Sequence, residues 1–171
     1  MHKDLVSNIN YQQTGTSSLV NQLGMREMQA KAYAQRNERF LLIKAPPASG
    51  KSRALMFIAL DKLKNQGVKK VVVAVPEKSI GRSFKDTELK PYGFFDDWKV
   101  KQYFNLCDVE NERDKAGRFC EFMSDKCPER ILVCAHATLR NGMKQIDDNQ
   151  FDNCLLAIDE FHHTSADEAS G

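Results

Sequence analysis

Ala45-Pro46-Pro47-Ala48-Ser49-Gly50-Lys51-Ser52 stands between two apolar segments of different kinds. Residues 40–43, Phe-Leu-Leu-Ile, read as a short buried strand; residues 53–60, Arg-Ala-Leu-Met-Phe-Ile-Ala-Leu, read as a helix. A strand, a tight loop closing in Gly-Lys-Ser and a helix form the context that a phosphate-binding loop needs. Backbone N–H groups of such a loop converge with the positive end of the helix dipole on one point. Gly50 lets the backbone approach phosphate oxygens without a side chain in the way, and Pro47, Ala48 and Ser49 complete the cradle. Lys51 brings a mobile positive charge, and Ser52 a hard oxygen of the sort that Mg2+ prefers. The competing reading is a surface loop that holds Gly-Lys-Ser by chance, since the octapeptide opens on Ala45 and not on glycine.

The other half of the chemistry lies a hundred residues on. Residues 154–158, Cys-Leu-Leu-Ala-Ile, form an apolar strand that runs into Asp159-Glu160-Phe161-His162-His163. On its own this is a strand ending at a charged turn. Beside a phosphate loop the two carboxylates acquire a purpose: Asp159 completes a magnesium shell, and Glu160 orients and deprotonates an attacking water. The sequence thus points to nucleotide hydrolysis assisted by Mg2+.

Between these segments the pattern alternates strand and helix. Residues 71–75 (Val-Val-Val-Ala-Val) and 130–135 (Arg-Ile-Leu-Val-Cys-Ala) are continuous apolar runs, as in strands covered on both faces of a parallel sheet. Pro76 ends the first of them, and residues 77–84, with Lys78 and Arg82, begin a short helix at the strand end where α/β sheets carry ligands. Residues 19–36, 111–126 and 136–146 are expected as helices, the last with Thr138 and Arg140 near its start, and residues 100–104 as a strand. The aromatic stretch 85–98 is read as a connection packed on the fold, with base stacking as the lesser alternative. Residues 1–18 are polar and are taken as a loose lead-in, leaving 19–171 as one domain.

Composition narrows the class. With 42% hydrophobic and 28% charged residues the chain is a globular protein and not a disordered one. A net charge of +2 neither requires nor excludes nucleic acid, for which a local basic patch suffices. No signal peptide or membrane-length apolar run is legible, and five cysteines without a C-x-x-C pair suit a reducing cytoplasm. Cys134 and Cys154 are read as buried thiols; a zinc site from Cys120, Cys127 and a histidine is the weaker alternative.

These residues together resemble a known family. Asp159-Glu160-Phe161-His162 resembles the D-E-x-H box of superfamily 2 helicases and translocases, and residues 45–52 look like that family's motif I, which often begins with alanine. Arg26-x-x-Gln29 looks like its adenine-recognising R-x-x-Q element; residues 71–84 resemble motif Ia and 133–139 motif Ib. The doubled His162-His163 is similar to the subgroup of restriction-enzyme motor subunits and double-stranded DNA translocases. The resemblance implies an α/β three-layer P-loop NTPase of RecA-like type with a mostly parallel sheet. It implies ATP bound by Arg26, Gln29, Pro47, Ala48, Ser49, Gly50, Lys51 and Ser52, and Mg2+ held by Ser52 and Asp159. Glu160, Lys51 and His162 would serve catalysis, with His162 linking the site to the track. Pro76, Lys78, Arg82 and Thr138 would face nucleic acid, DNA sooner than RNA.

Three departures from the family pattern matter. Ala48 stands where glycine is common, which a methyl permits if the backbone keeps a negative φ. Ala135-His136-Ala137 replaces the usual threonine of motif Ib. The motif III strand and a second RecA-like domain are expected beyond Gly171, so that residues 40–43 and 155–158 would flank an unfilled slot and the piece alone would turn over ATP slowly. Other readings are a P-loop ATPase of another family, such as a packaging motor, and a non-catalytic nucleic-acid-binding fragment.

Overall fold

The computed structural model describes residues 6–10, 20–76 and 78–160, with the backbone alone at 6–8, 10 and 78–80. Its contacts fall into two compact units: the described residues of Met1–Gln66 with Glu88–Trp98, and those of Gly67–Thr87 with Lys99–Gly171.

In the first unit β1 (Val6–Asn10) runs parallel to β2 (Phe40–Lys44), Val6 opposite Phe40 and Asn10 opposite Lys44. The polar composition of residues 1–18 concealed this strand, so the expectation of a loose lead-in fails at 6–10. Helix α1 (Glu27–Ala34) is shorter than the expected span of 19–36, because Gly24 at φ 74° breaks the helical path. Helix α2 (Lys51–Asn65) follows the Gly-Lys-Ser loop directly. Ile9, Met28, Ala32, Ala54 and Ile58 form the core between these helices and the strands. The aromatic stretch packs within this unit: the Phe94 ring meets Tyr33 of α1 and Phe57 of α2 edge-on, at centroid distances of 5.9 and 4.7 Å.

The second unit is a parallel sheet ordered β4–β3–β5, with β3 (Lys70–Val75), β4 (Ile131–Ala135) and β5 (Cys154–Ile158). The β-branched run of β3 is paired on both sides, and Val71 to Val75 are fully buried, as continuous apolar patterning requires. Helices α3 (Glu112–Met123) and α4 (His136–Met143) pack here, with Phe119, Phe122, Met123 and Leu139 in one core with Val72, Leu132 and Cys134. Gly142 permits the close approach of α4: a Cβ there would stand 2.4 Å from the Phe119 ring. Residues 100–104 are no strand. Gln102–Phe104 is a 3-10 turn, and the alternation that suggested a strand reflects Phe104 entering the core while Lys101 and Tyr103 stay outside. Lys78–Phe84 is a 3-10 helix, in keeping with the expected short helix after Pro76.

Among the described residues β2 pairs with β1 alone and β5 with β3 alone, so each keeps one edge without a strand partner. Both are only partly buried, with Phe40 46% and Leu156 37% exposed, whereas the apolar pattern of residues 40–43 predicts full burial. No helix among the described residues is long and apolar enough to cross a membrane.

Candidate functional site

The phosphate loop belongs to the first unit. Pro46 O accepts from Ser49 N–H in a tight turn, and Gly50 caps α2 in the left-handed region at φ 87°. No side chain caps the N-terminus of α2, and its first turn holds no acidic residue, whereas α1 carries Glu27 there and α3 carries Glu112 and Asp114; α4, like α2, carries none. An uncapped helix start with no acidic side chain in its first turn is receptive to an anion. The Ser49 hydroxyl is buried without a hydrogen-bond partner, a second polar group that a phosphate oxygen would satisfy. These features fit a nucleotide phosphate.

Ala48 lies at φ 60°, so the condition of a negative φ is not met. The turn that aims the loop needs a left-handed residue here, and alanine takes it at a cost of about 1–2 kcal/mol. Strain of this kind clusters at functional loops.

Gln29 is tied to the loop. Its Nε2 donates to Gly50 O at 3.2 Å, and its Oε1 accepts the Arg26 N–H at 2.9 Å. A Cβ on residue 50 would meet that amide at 2.5 Å and push it from Gly50 O, and the backbone angle itself favours glycine. The side chain that the R-x-x-Q pattern assigned to adenine is 2% exposed and spans from α1 to the loop carbonyl. The Arg26 side chain is exposed. Downstream, the Arg53 guanidinium stands over the Tyr92 ring at 5.1 Å.

The acidic turn belongs to the second unit. Asp159 N–H donates to Ala74 O at 2.8 Å, one step beyond the end of β5. Glu160 N–H donates to Asp159 Oδ1 at 3.0 Å, and Glu160 sits at φ 52°. His136 Nε2 lies 2.9 Å from Asp159 O. In the first unit Ser52 offers a hydroxyl oxygen, and in the second Asp159 offers a carboxylate, each a hard oxygen of the kind Mg2+ prefers over softer ligands.

The remaining predicted residues divide. Arg82 is exposed and Pro76 half-buried, at the C-terminal end of β3. Lys78 lies in the 3-10 helix, described by its backbone alone, and His162 lies outside the described residues. Thr138 is 3% exposed, because the inward face of α4 runs through His136, Thr138, Leu139 and Gly142. A side chain on that face cannot reach a phosphate backbone; Ala137 and Arg140 occupy the outer face. The sequence reading passed over His136 as a substitution for threonine. Burial raises the Cys154 thiol to about 11 and drives the Cys134 thiol higher still; Cys134 is buried as expected, whereas Cys154 is only partly buried. Among the described residues no group of three His, Cys, Asp or Glu could hold a metal ion.

A strand, a left-handed glycine cap and an uncapped helix in one unit, with an acidic turn closing a parallel sheet in the other, agree with what comparison finds. The family model described as "Type III restriction enzyme, res subunit" matches residues 6–170. The chain belongs to the type III restriction enzyme res subunit family. Its α/β fold with a parallel three-stranded sheet is the RecA-like P-loop fold of that family. A Bacillus subtilis (strain 168) protein named "Putative ATP-dependent helicase YeeB" is 61% identical over 159 residues, which are 93% of this chain and 26% of that protein. The chain therefore spans about a quarter of that curated relative's length. No solved structure gives a significant match.

Proposed function

We propose that this chain is the ATP-binding part of an ATP-dependent helicase or double-stranded DNA translocase, in which hydrolysis drives movement along nucleic acid. The observation that carries the reading is the uncapped start of α2 behind the left-handed Gly50, with the Ser49 hydroxyl unpartnered beside it. Family membership and the helicase name of the Bacillus relative support it.

In this reading the N–H groups of the loop and Lys51 bind the nucleotide phosphates, and Ser52 and Asp159 hold Mg2+. The ion neutralises charge that develops on the phosphate oxygens. Glu160 orients the attacking water and takes its proton. Gln29 fixes the loop through Gly50 O and keeps a second amide hydrogen for an adenine edge. Arg82 and Lys78, after β3, and Arg140, on α4, face the sugar–phosphate backbone of DNA, and His162 connects that track to the acidic turn. Contacts to backbone phosphates give binding without sequence preference and suit a motor.

The test is steady-state phosphate release by the full-length protein with and without double-stranded DNA. DNA-stimulated hydrolysis that disappears in Glu160→Gln is the expected result. Hydrolysis untouched by Glu160→Gln overturns the assignment of the base, and hydrolysis indifferent to DNA and RNA overturns the motor reading.

A further inference from the structure

Where β5 ends, the sheet leaves one carbonyl without its ladder donor. In a parallel pair every second residue faces the neighbouring strand, donating to the residue before its partner and accepting from the residue after it. Ala74 stands opposite Ile158, so Asp159 falls opposite Val75. Asp159 N–H duly donates to Ala74 O at 2.8 Å. The matching bond would bring the N–H of residue 76 to Asp159 O, but residue 76 is proline and has no N–H. A half-buried carbonyl must find another donor.

His136 supplies it. It is the first residue of α4, which leaves β4 without an intervening loop, and the residue is 9% exposed. The sheet order β4–β3–β5 sets the ends of β4 and β5 on either side of β3. From the end of β4 the imidazole crosses beyond the end of β3 and reaches Asp159 O at 2.9 Å. A carbonyl only accepts, so the proton of this bond is carried on Nε2.

The consequence falls on Glu160. The peptide between Asp159 and Glu160 is held at both ends, its oxygen by His136 and its N–H by Asp159 Oδ1 at 3.0 Å. That peptide plane fixes the backbone angle from which the Glu160 side chain departs, and Glu160 is held at φ 52°, where a residue with a Cβ does not rest unaided. We propose that His136 is a positioning residue for hydrolysis: it replaces the backbone donor that Pro76 lacks and thereby sets the direction in which Glu160 presents its carboxylate. This role rests on the ATPase reading above.

The experiment measures ATP turnover and KM in the full-length protein for wild type, Lys51→Ala, His136→Ala, His136→Gln and His136→Asn. A glutamine amide reaches the place of Nε2, whereas an asparagine amide reaches only that of Nδ1. The expected result is a kcat lower by about 10–100-fold in His136→Ala and His136→Asn, with KM within about twofold of wild type, and a kcat restored in His136→Gln. Both amide variants keep a polar group at this position, so their difference decides the matter even if His136→Ala does not fold. Equal activity in the glutamine and asparagine variants overturns the proposal, as does a change in KM alone. If wild-type turnover is absent or unaffected by Lys51→Ala, the ATPase reading itself falls, and the role of His136 with it. If turnover depends on Lys51 while His136→Ala matches wild type, only the positioning role falls.

Discussion

The side-chain amide of Gln29 donates to the carbonyl of Gly50 at 3.2 Å, and so joins the start of α1 to the residue that caps α2. Two polar ends of one buried side chain are used at once, since its oxygen also accepts the Arg26 N–H. The loop shape is thus set partly by a residue 21 positions upstream. Gln29→Glu keeps the acceptor for Arg26 but cannot donate to Gly50 O, and it brings a negative charge toward the phosphate site. We expect nucleotide affinity to fall by about tenfold or more, the equivalent of one lost hydrogen bond of about 1.4 kcal/mol. Gly50→Ala should do at least as much harm, because its Cβ meets Gln29 Nε2 at 2.5 Å and its φ is 87°. Fluorescent nucleotide titration measures both; affinity unchanged in Gln29→Glu would show that the link carries no weight.

Ala48→Gly makes the opposite prediction. Releasing a methyl from φ 60° regains about 1–2 kcal/mol, while the added freedom of the unfolded chain costs about 0.5–1 kcal/mol. The variant should therefore be more stable by about 0.5–1 kcal/mol, read as a higher urea midpoint at constant slope. A lower midpoint would mean that the methyl makes contacts worth more than the strain.

Much of this was legible in the chain, for reasons that can be named. The Val71 to Val75 run announces a strand covered on both faces because β3 is the central strand, and its composition has no other outlet. Gly-Lys-Ser between an apolar strand and an apolar helix announces the loop because glycine and backbone geometry are bound together there. Strand β1 was illegible: Val6-Ser7-Asn8-Ile9-Asn10 lacks the apolar density of a core strand and is set by its pairing with β2, which is a tertiary fact. The burial of Thr138 was illegible because α4 begins at once after β4, and a helix phase cannot be read from so few residues. The bond from His136 had a signal that could have been read, namely a proline at the one ladder position where Asp159 needs a donor.

A network around Asp61 gives stability a signature in pH. Burial alone would raise this carboxyl, but hydrogen bonds from Gln66, Asn65 and Tyr33, with the Arg36 charge, hold it below its ordinary value of 3.8. The Tyr33 hydroxyl, 3.0 Å away, is raised above 10.0, first by burial and then by that bond. A lowered acid stabilises the fold above its unfolded pKa and loses that contribution as pH falls through the folded value; a raised tyrosine stabilises below its unfolded pKa and loses it as pH rises past 10.0. Asp61→Asn should cost about 1.5–3 kcal/mol near neutral pH, the worth of hydrogen bonds to a charged group. The difference in Tm from wild type should narrow as pH drops below about 3.8. A difference that stays constant down to pH 2 would remove the carboxylate from this account.

The central claim is that residues 45–52 bind nucleotide phosphate. Calorimetric titration of Mg·ATP into the wild-type protein and into Lys51→Ala tests it most directly, since Lys51 stands half-buried in the first turn of α2, outside the core. Losing the cation of a phosphate pair costs about 2–5 kcal/mol, so the account predicts binding weaker by about thirtyfold or more with Tm unchanged. Equal affinity in the two proteins would contradict it.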